Sequence, residues 1–265
     1  MRKLDPHPTP IEPDLTPYLW HPTPVGPLPS EDGVPLETNW HVLQMTLLMQ
    51  SLTWHWRDRT DSFVGGNMFV YWDEELARNE YFRGPDVFAV KDGVSNERTR
   101  EHWEVWTENG RFPDLIVELM SKSTRRNDLT TKKQVYEERF ETPDFVAYDP
   151  ESKEFFVWHK KDGRFQRVVA DKQGRYRLAG IGLRLGPWHG TFEQRKDDWV
   201  RFFDSAGNLV PTRDEAANLR ADSERARAEG EKARAEAATL RAIAERARAD
   251  ALAAELARLK SQRKP

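Results

Sequence analysis

The sequence predicts an α/β domain in which helices flank a mixed β-sheet, followed by one long C-terminal helix. Three observations carry this. Strand-length apolar runs alternate with helical patterns across residues 36–212. One run, residues 113–120 (PDLIVELM), is almost continuously apolar, the pattern of a central strand covered on both faces. From Glu224 the chain falls into sevens, ERARAEG, EKARAEA, ATLRAIA, ERARADA and LAAELAR.

Taken in order, residues 1–35 hold much of the proline and little periodicity, which predicts an extended arm strapped on by Tyr18, Leu19 and Trp20. Residues 36–56 predict a helix whose stripe is Val42, Met45, Leu48, Met49, Leu52 and Trp56. Residues 62–72 are strand-like with a bulge or bend at Gly65-Gly66, and residues 86–90 form a short strand after the turn Arg83-Gly84-Pro85. A short helix is expected over 96–108, then the strand 113–120. Asn127 is the expected N-cap of a helix reaching about Phe140, with Pro143 beyond it. Strands follow over 144–148, 155–159, 164–169 and 176–185, and a small hairpin from Glu193 onward. The domains expected are the arm at 1–35, the α/β domain at 36–212 and the helix at 213–265. The heptad seam of that helix is mostly alanine, with Ala226, Ala233, Leu240 and Ala247 in one column and Gly230, Ala237 and Ala244 in the other. Such a seam predicts a homo-oligomer joined through the helix, against the alternative of an isolated charged helix.

Composition narrows the function classes. The 265 residues are 38% hydrophobic and include 10 Trp and 13 Phe, enough for a sizeable core. There is no Cys, which excludes disulfides, zinc thiolate sites and a Cys nucleophile and favours a reducing cytoplasm. No apolar run reaches about 18 residues and the N-terminus lacks a signal-peptide core, so a soluble cytoplasmic protein without membrane contact is expected. Residues 213–265 carry 13 Lys+Arg against 10 Asp+Glu, leaving 28 against 34 in the first 212 residues. A net-acidic domain argues against indiscriminate duplex binding.

The chemistry centres on Glu118. A carboxylate inside an apolar strand costs several kcal/mol unless it is protonated, paired or bound to a metal. Strand alternation puts Asp114, Ile116, Glu118 and Met120 on one face, but Asp114 and Glu118 are about 13 Å apart along a regular strand, too far to share an ion. Glu118 therefore needs a partner from another element. Asp86, if its strand is a neighbour, is one, and two hard oxygen ligands select Mg²⁺ or Mn²⁺. Lys132 lies on the helical stripe between Leu129 and Tyr136 that faces the sheet, whereas Lys133 does not.

These residues, Pro85-Asp86, Pro113-Asp114-Leu115-Ile116-Val117-Glu118, Ser121-Lys122-Ser123-Thr124, Asp128-Leu129, Lys132-Lys133, Tyr136 and Asp149-Pro150, resemble the Uma-type family of bacterial "putative restriction endonucleases", a branch of the PD-(D/E)XK nuclease superfamily. The resemblance covers roughly residues 30–205. It implies a restriction-endonuclease-like core and Mg²⁺-dependent (or Mn²⁺-dependent) cleavage of phosphodiester bonds in nucleic acid, DNA ahead of RNA. Asp86 and Glu118 match the metal-binding carboxylates. Met120 stands where the motif has its lysine, and Lys132 looks like a relocated replacement, with Lys122 a weaker substitute. Glu37 loosely resembles an extra helix carboxylate of some relatives, and Asp114 a residue supporting the ligands.

Each assignment has a plainer alternative: Asp86 as a turn residue, Glu118 and Lys132 as a structural pair, Asp114 as a strand-start residue, and Asp128 as compensation for the helix dipole. The competing function is a catalytically silent nuclease-fold protein that serves as an interaction platform through its coiled tail. An open or a sealed cluster of Asp86, Glu118 and Lys132 separates the two. No zinc spacing, phosphate loop or nucleophile elbow is present.

Overall fold

Helix α1 (Asn39–His55) starts at Thr38, whose side chain accepts a hydrogen bond from the His41 N–H. The structure, a computed structural model, describes residues 38–77 and 81–262; the arm expected at 1–35 and Glu37 lie outside them. The chain divides between Thr212 and Arg213 into two compact units.

In the first unit, α1 is followed by β1 (Phe63–Gly66), β2 (Val70–Tyr71), α2 (Glu74–Ala77), β3 (Val87–Val90), β4 (Trp103–Glu104) and β5 (Leu115–Leu119). Next come α3 (Arg125–Asn127), a π-helical turn (Asp128–Lys132) and α4 (Lys133–Glu138). Strands β6 (Asp144–Asp149), β7 (Glu154–Lys161), β8 (Arg164–Arg167), β9 (Tyr176–Leu178), β10 (Leu183–Phe192) and β11 (Arg195–Phe203) complete it.

The main sheet runs β1-β3-β5-β6-β7-β8 and is mixed: β5 and β6 are parallel, and every other adjacent pair is antiparallel. A parallel pair needs a crossover. Here the crossover is the helical run from Arg125 to Glu138, which lays Lys132 and Tyr136 over β5. Alternation along β5 divides the core accordingly. Leu115, Val117 and Leu119 pack with Leu47, Leu48 and Leu52 of α1, while Ile116 and Met120 pack with Tyr136, Phe140 and Phe145. Each fully buried leucine contributes about 1.5–3 kcal/mol.

A second sheet, β11-β10-β9, is built on the long hairpin of β10 and β11. Its turn residues Glu193 and Gln194 both adopt positive φ, 46° and 61°. The hairpin expected after Glu193 is thus the second half of a larger one. Trp199 of β11 stacks on Trp40 of α1 with centroids 6.1 Å apart.

Four local expectations change. Val42 is exposed, because the inward face of α1 includes polar Gln44, whose amide clamps the backbone of Val200 at 2.9 and 2.8 Å. Gly65 and Gly66 lie inside β1, where a Cβ would come within 2.6 Å of the Phe88 ring and 2.4 Å of Met49 Sδ. The break between β1 and β2 falls instead at Asn67, with φ 48°. The segment 96–108 forms β4 and loops rather than a helix. Trp103 there is fully buried, with its N–H on Phe69 O and its indole on Arg111 O. Finally, Asn127 is already helical and makes no cap hydrogen bond, since the run starts at Arg125.

The second unit is a single helix, α5 (Arg213–Gln262), of 50 residues. Among the described residues no helix is long and apolar enough to cross a membrane.

Candidate active site

Asp86 ends the turn before β3, and its Oδ2 accepts the Leu119 N–H at 2.6 Å, which fixes the carboxylate against the end of β5. Glu118 sits in β5 on the side covered by the crossover. Tyr136 Oη donates to its Oε1 at 2.7 Å, and Lys132 Nζ donates to its Oε2 at 2.9 Å. Lys132 Nζ also stands 2.9 Å from Asp128 Oδ1, an ion-pair distance without the geometry of a hydrogen bond. The π-helical turn that begins at Asp128 and ends at Lys132 carries both residues inward; such turns recur at functional sites. His41 of α1 approaches the same strand end, with Nε2 3.4 Å from Met120 O.

Glu118, Asp128 and Lys132 are buried, at 1%, 1% and 6% exposure. Asp86 as a whole residue keeps intermediate exposure, so it is the member of the cluster with access to solvent. Its carboxyl group is nonetheless enclosed, and that desolvation raises its pKa, opposed by Lys132 and by the Leu119 N–H. Glu118 is pushed up to about 8, by burial first; Asp128 and Asp86 push the same way, and Lys132 pulls it down. The Tyr136 hydroxyl is held well above its usual range by burial and by the neighbouring Glu118. Burial is the first cause in each case, and the charges of the neighbouring carboxyl groups and of Lys132 modify it.

The remaining candidates lie elsewhere. Asp114, at the opposite end of β5, accepts the Lys91 N–H at 2.7 Å and pairs with Arg111 at 3.0 Å. Lys122 is exposed and pairs with Glu151 at 3.1 Å, because β5 ends at Leu119 and the following turn, held by Ser121 and Thr124, carries it outward. Glu37 is outside the described residues. Asp128, expected to compensate the helix dipole, is the cluster member that sequence reasoning undervalued. Its spacing of four from Lys132 on one helical face was the available signal. Buried Arg83, whose charge acts on Tyr136, was also missed. Among the described residues no group of three or more His, Asp or Glu side chains is placed to hold a metal ion.

The parallel pair of the mixed sheet is bridged by a lysine-bearing crossover with buried carboxyl groups beneath it. A family model described as "Putative restriction endonuclease" matches residues 32–186, more than half of the chain, and the chain belongs to that family. Among solved structures, the chain is similar to an Anabaena variabilis protein described as "a putative nuclease belonging to DUF820". The identity is 11% and the TM-score 0.40, over 53% of this chain and 72% of that one. No curated protein matches the chain.

Proposed function

We propose that the protein is a divalent-metal-dependent endonuclease that hydrolyses phosphodiester bonds in nucleic acid, DNA before RNA, with Asp86, Glu118 and Lys132 as its working residues. The observation that carries this is the meeting of Lys132 and Glu118 beneath the crossover, with Asp86 anchored on the same strand end.

Asp86 and Glu118 offer two hard oxygen donors of the kind that a divalent cation selects, and water and phosphate oxygens would supply the rest of its ligands. Burial raises the pKa of Asp86 and of Glu118, the Asp128 charge raises both further and Asp86 raises Glu118, so the cluster favours added positive charge. Asp86 and Glu118 would hold the ion, which when bound supplies a Lewis acid for the scissile phosphate and the attacking water. Tyr136 fixes the Glu118 carboxylate by its hydrogen bond. Asp128 holds Lys132 in place, and the Lys132 ammonium stabilises negative charge that develops on phosphate oxygens.

The full chain is incubated with supercoiled DNA, single-stranded DNA and RNA in Mg²⁺ or Mn²⁺. Cleavage that a chelator stops, and that Glu118→Gln abolishes, is expected. No cleavage of any substrate in either metal overturns the assignment. The burial of Glu118, Asp128 and Lys132 favours one second function, a silent nuclease-fold platform, which that result would favour. In either case the tail joins copies of the chain and the protein works in the cytoplasm, supports for which are the alanine heptads and the lack of Cys.

A further inference from the structure

Helix α5 runs unbroken from Arg213 to Gln262, and every described side chain from Asp222 to Arg258 is exposed. Leu219 and Leu240, on one column of the heptad seam, are 64% and 68% exposed. The seam alone does not say what covers it. The flanking columns do. The position preceding one core column is occupied by Asp222, Glu229 and Glu236, and the position following the other by Arg227, Arg234 and Arg241. Each acid is five residues before an arginine.

We infer that α5 pairs with α5 of a second copy of this chain in a parallel, in-register coiled coil. In that arrangement an acid of one helix faces the arginine five positions later in its partner, so Asp222 meets Arg227, Glu229 meets Arg234 and Glu236 meets Arg241, once on each side of the seam. An antiparallel pair sets arginine against arginine and acid against acid. Opposite charges in these flanking columns set orientation as well as partner choice, and here both select the parallel dimer. Within one helix Arg227 pairs with Glu231 at 3.1 Å, but both side chains are largely exposed and such a contact exchanges readily for one across the seam. The pattern breaks where Ile243 takes the acidic column opposite Arg248 and where Glu255 takes the arginine column opposite Asp250; Leu252 and Leu256 lie off the seam.

Orientation has a consequence for the rest of the chain. Parallel pairing brings the Arg213 ends of both copies together. An antiparallel pair would separate those ends by the helix length, about 75 Å at 1.5 Å per residue. Self-association of the tail, part of the proposed function, is the premise.

The absence of Cys makes orientation measurable in the full chain. Ala226→Cys and Ala247→Cys, both on the seam, are oxidised separately and as an equal mixture with one chain mass-tagged. Each variant alone is expected to give a disulfide-linked dimer, and the mixture no link between 226 and 247, because a disulfide needs Cα atoms within about 7 Å. Reversing Arg227, Arg234 and Arg241 to Glu is expected to raise the dimer dissociation constant by about tenfold or more in sedimentation equilibrium. Mixing that variant with a chain carrying Asp222→Arg, Glu229→Arg and Glu236→Arg is expected to restore association. A dimer linked between 226 and 247, or one that neither cysteine links, overturns the parallel arrangement alone. A chain that stays monomeric at every concentration overturns self-association itself.

Discussion

Lys132 and Glu118 meet across the crossover that joins the two parallel strands, Nζ to Oε2 at 2.9 Å, with both side chains buried. The same ammonium stands 2.9 Å from Asp128, so one cation serves two buried carboxylates. That ratio makes the cluster expensive as a purely structural device, since a buried pair gains over an apolar replacement only when its charges balance.

Removing the ammonium tests how much depends on it. Lys132→Met leaves Asp128 without its cation and the Glu118 carboxyl group without its donor, and is expected to cost about 3–5 kcal/mol at neutral pH in urea unfolding. Lys133→Met is the control. Lys133 pairs with Glu137 at 3.1 Å on the next helical position, and its loss is expected to cost about 1 kcal/mol or less. Equal losses would mean that Lys132 is not the charge that holds the cluster.

The raised pKa of Glu118 sets a pH window. Its carboxyl group titrates near 8 in the folded chain against an ordinary 4.5, so between these values the folded state keeps a proton that the unfolded state has released. Stability contributed by this group is fully present below about pH 4.5 and is lost as pH rises toward about 8, with a slope of up to about 1.4 kcal/mol per pH unit. Glu118→Gln is expected to remove that slope from unfolding measured between pH 5 and 8. Parallel pH profiles for the two proteins would refute the assignment.

Much of this site was legible in the sequence, because its two periodicities are strict. The period of two in β5 put Glu118 and Met120 on one face, and the helical period put Lys132 and Tyr136 against that face. Asp114 and Lys122 mark where pattern runs out: one lies on the right face at the wrong end of β5, and the other follows a turn that no alternation describes. Segment 96–108 failed as a helix for another reason. Its tryptophans read as a helical stripe, but Trp103 is fixed by hydrogen bonds to Phe69 and Arg111, contacts that local propensity does not contain.

Metal affinity separates the carboxylates. In calorimetry with Mn²⁺ and Mg²⁺, Asp86→Asn and Glu118→Gln are each expected to abolish measurable binding, because both belong to the buried cluster beneath the crossover. Asp114→Asn is expected to leave it within about twofold, since that carboxylate lies at the other end of the strand, beside Lys91 and Arg111. Loss of binding in Asp114→Asn equal to that in Glu118→Gln would move the site.

Asp128 gives the sharpest contrast, because it touches the same ammonium as Glu118 and should behave in the opposite way to Lys132. Its Oδ1 makes no hydrogen bond, and its charge raises the pKa of both Glu118 and Asp86. Asp128→Asn therefore removes repulsion while keeping the shape of the side chain, and Lys132 is left to Glu118. Unfolding free energy at pH 8 is expected to fall by less than about 1 kcal/mol, or to rise, against the several lost in Lys132→Met. The upper end of the Glu118 pH window is expected to move down, toward neutrality. If Asp128→Asn instead destabilises the chain as much as Lys132→Met, the aspartate anchors the π-helical turn itself, and its role is to build the crossover rather than to set the charge at Glu118.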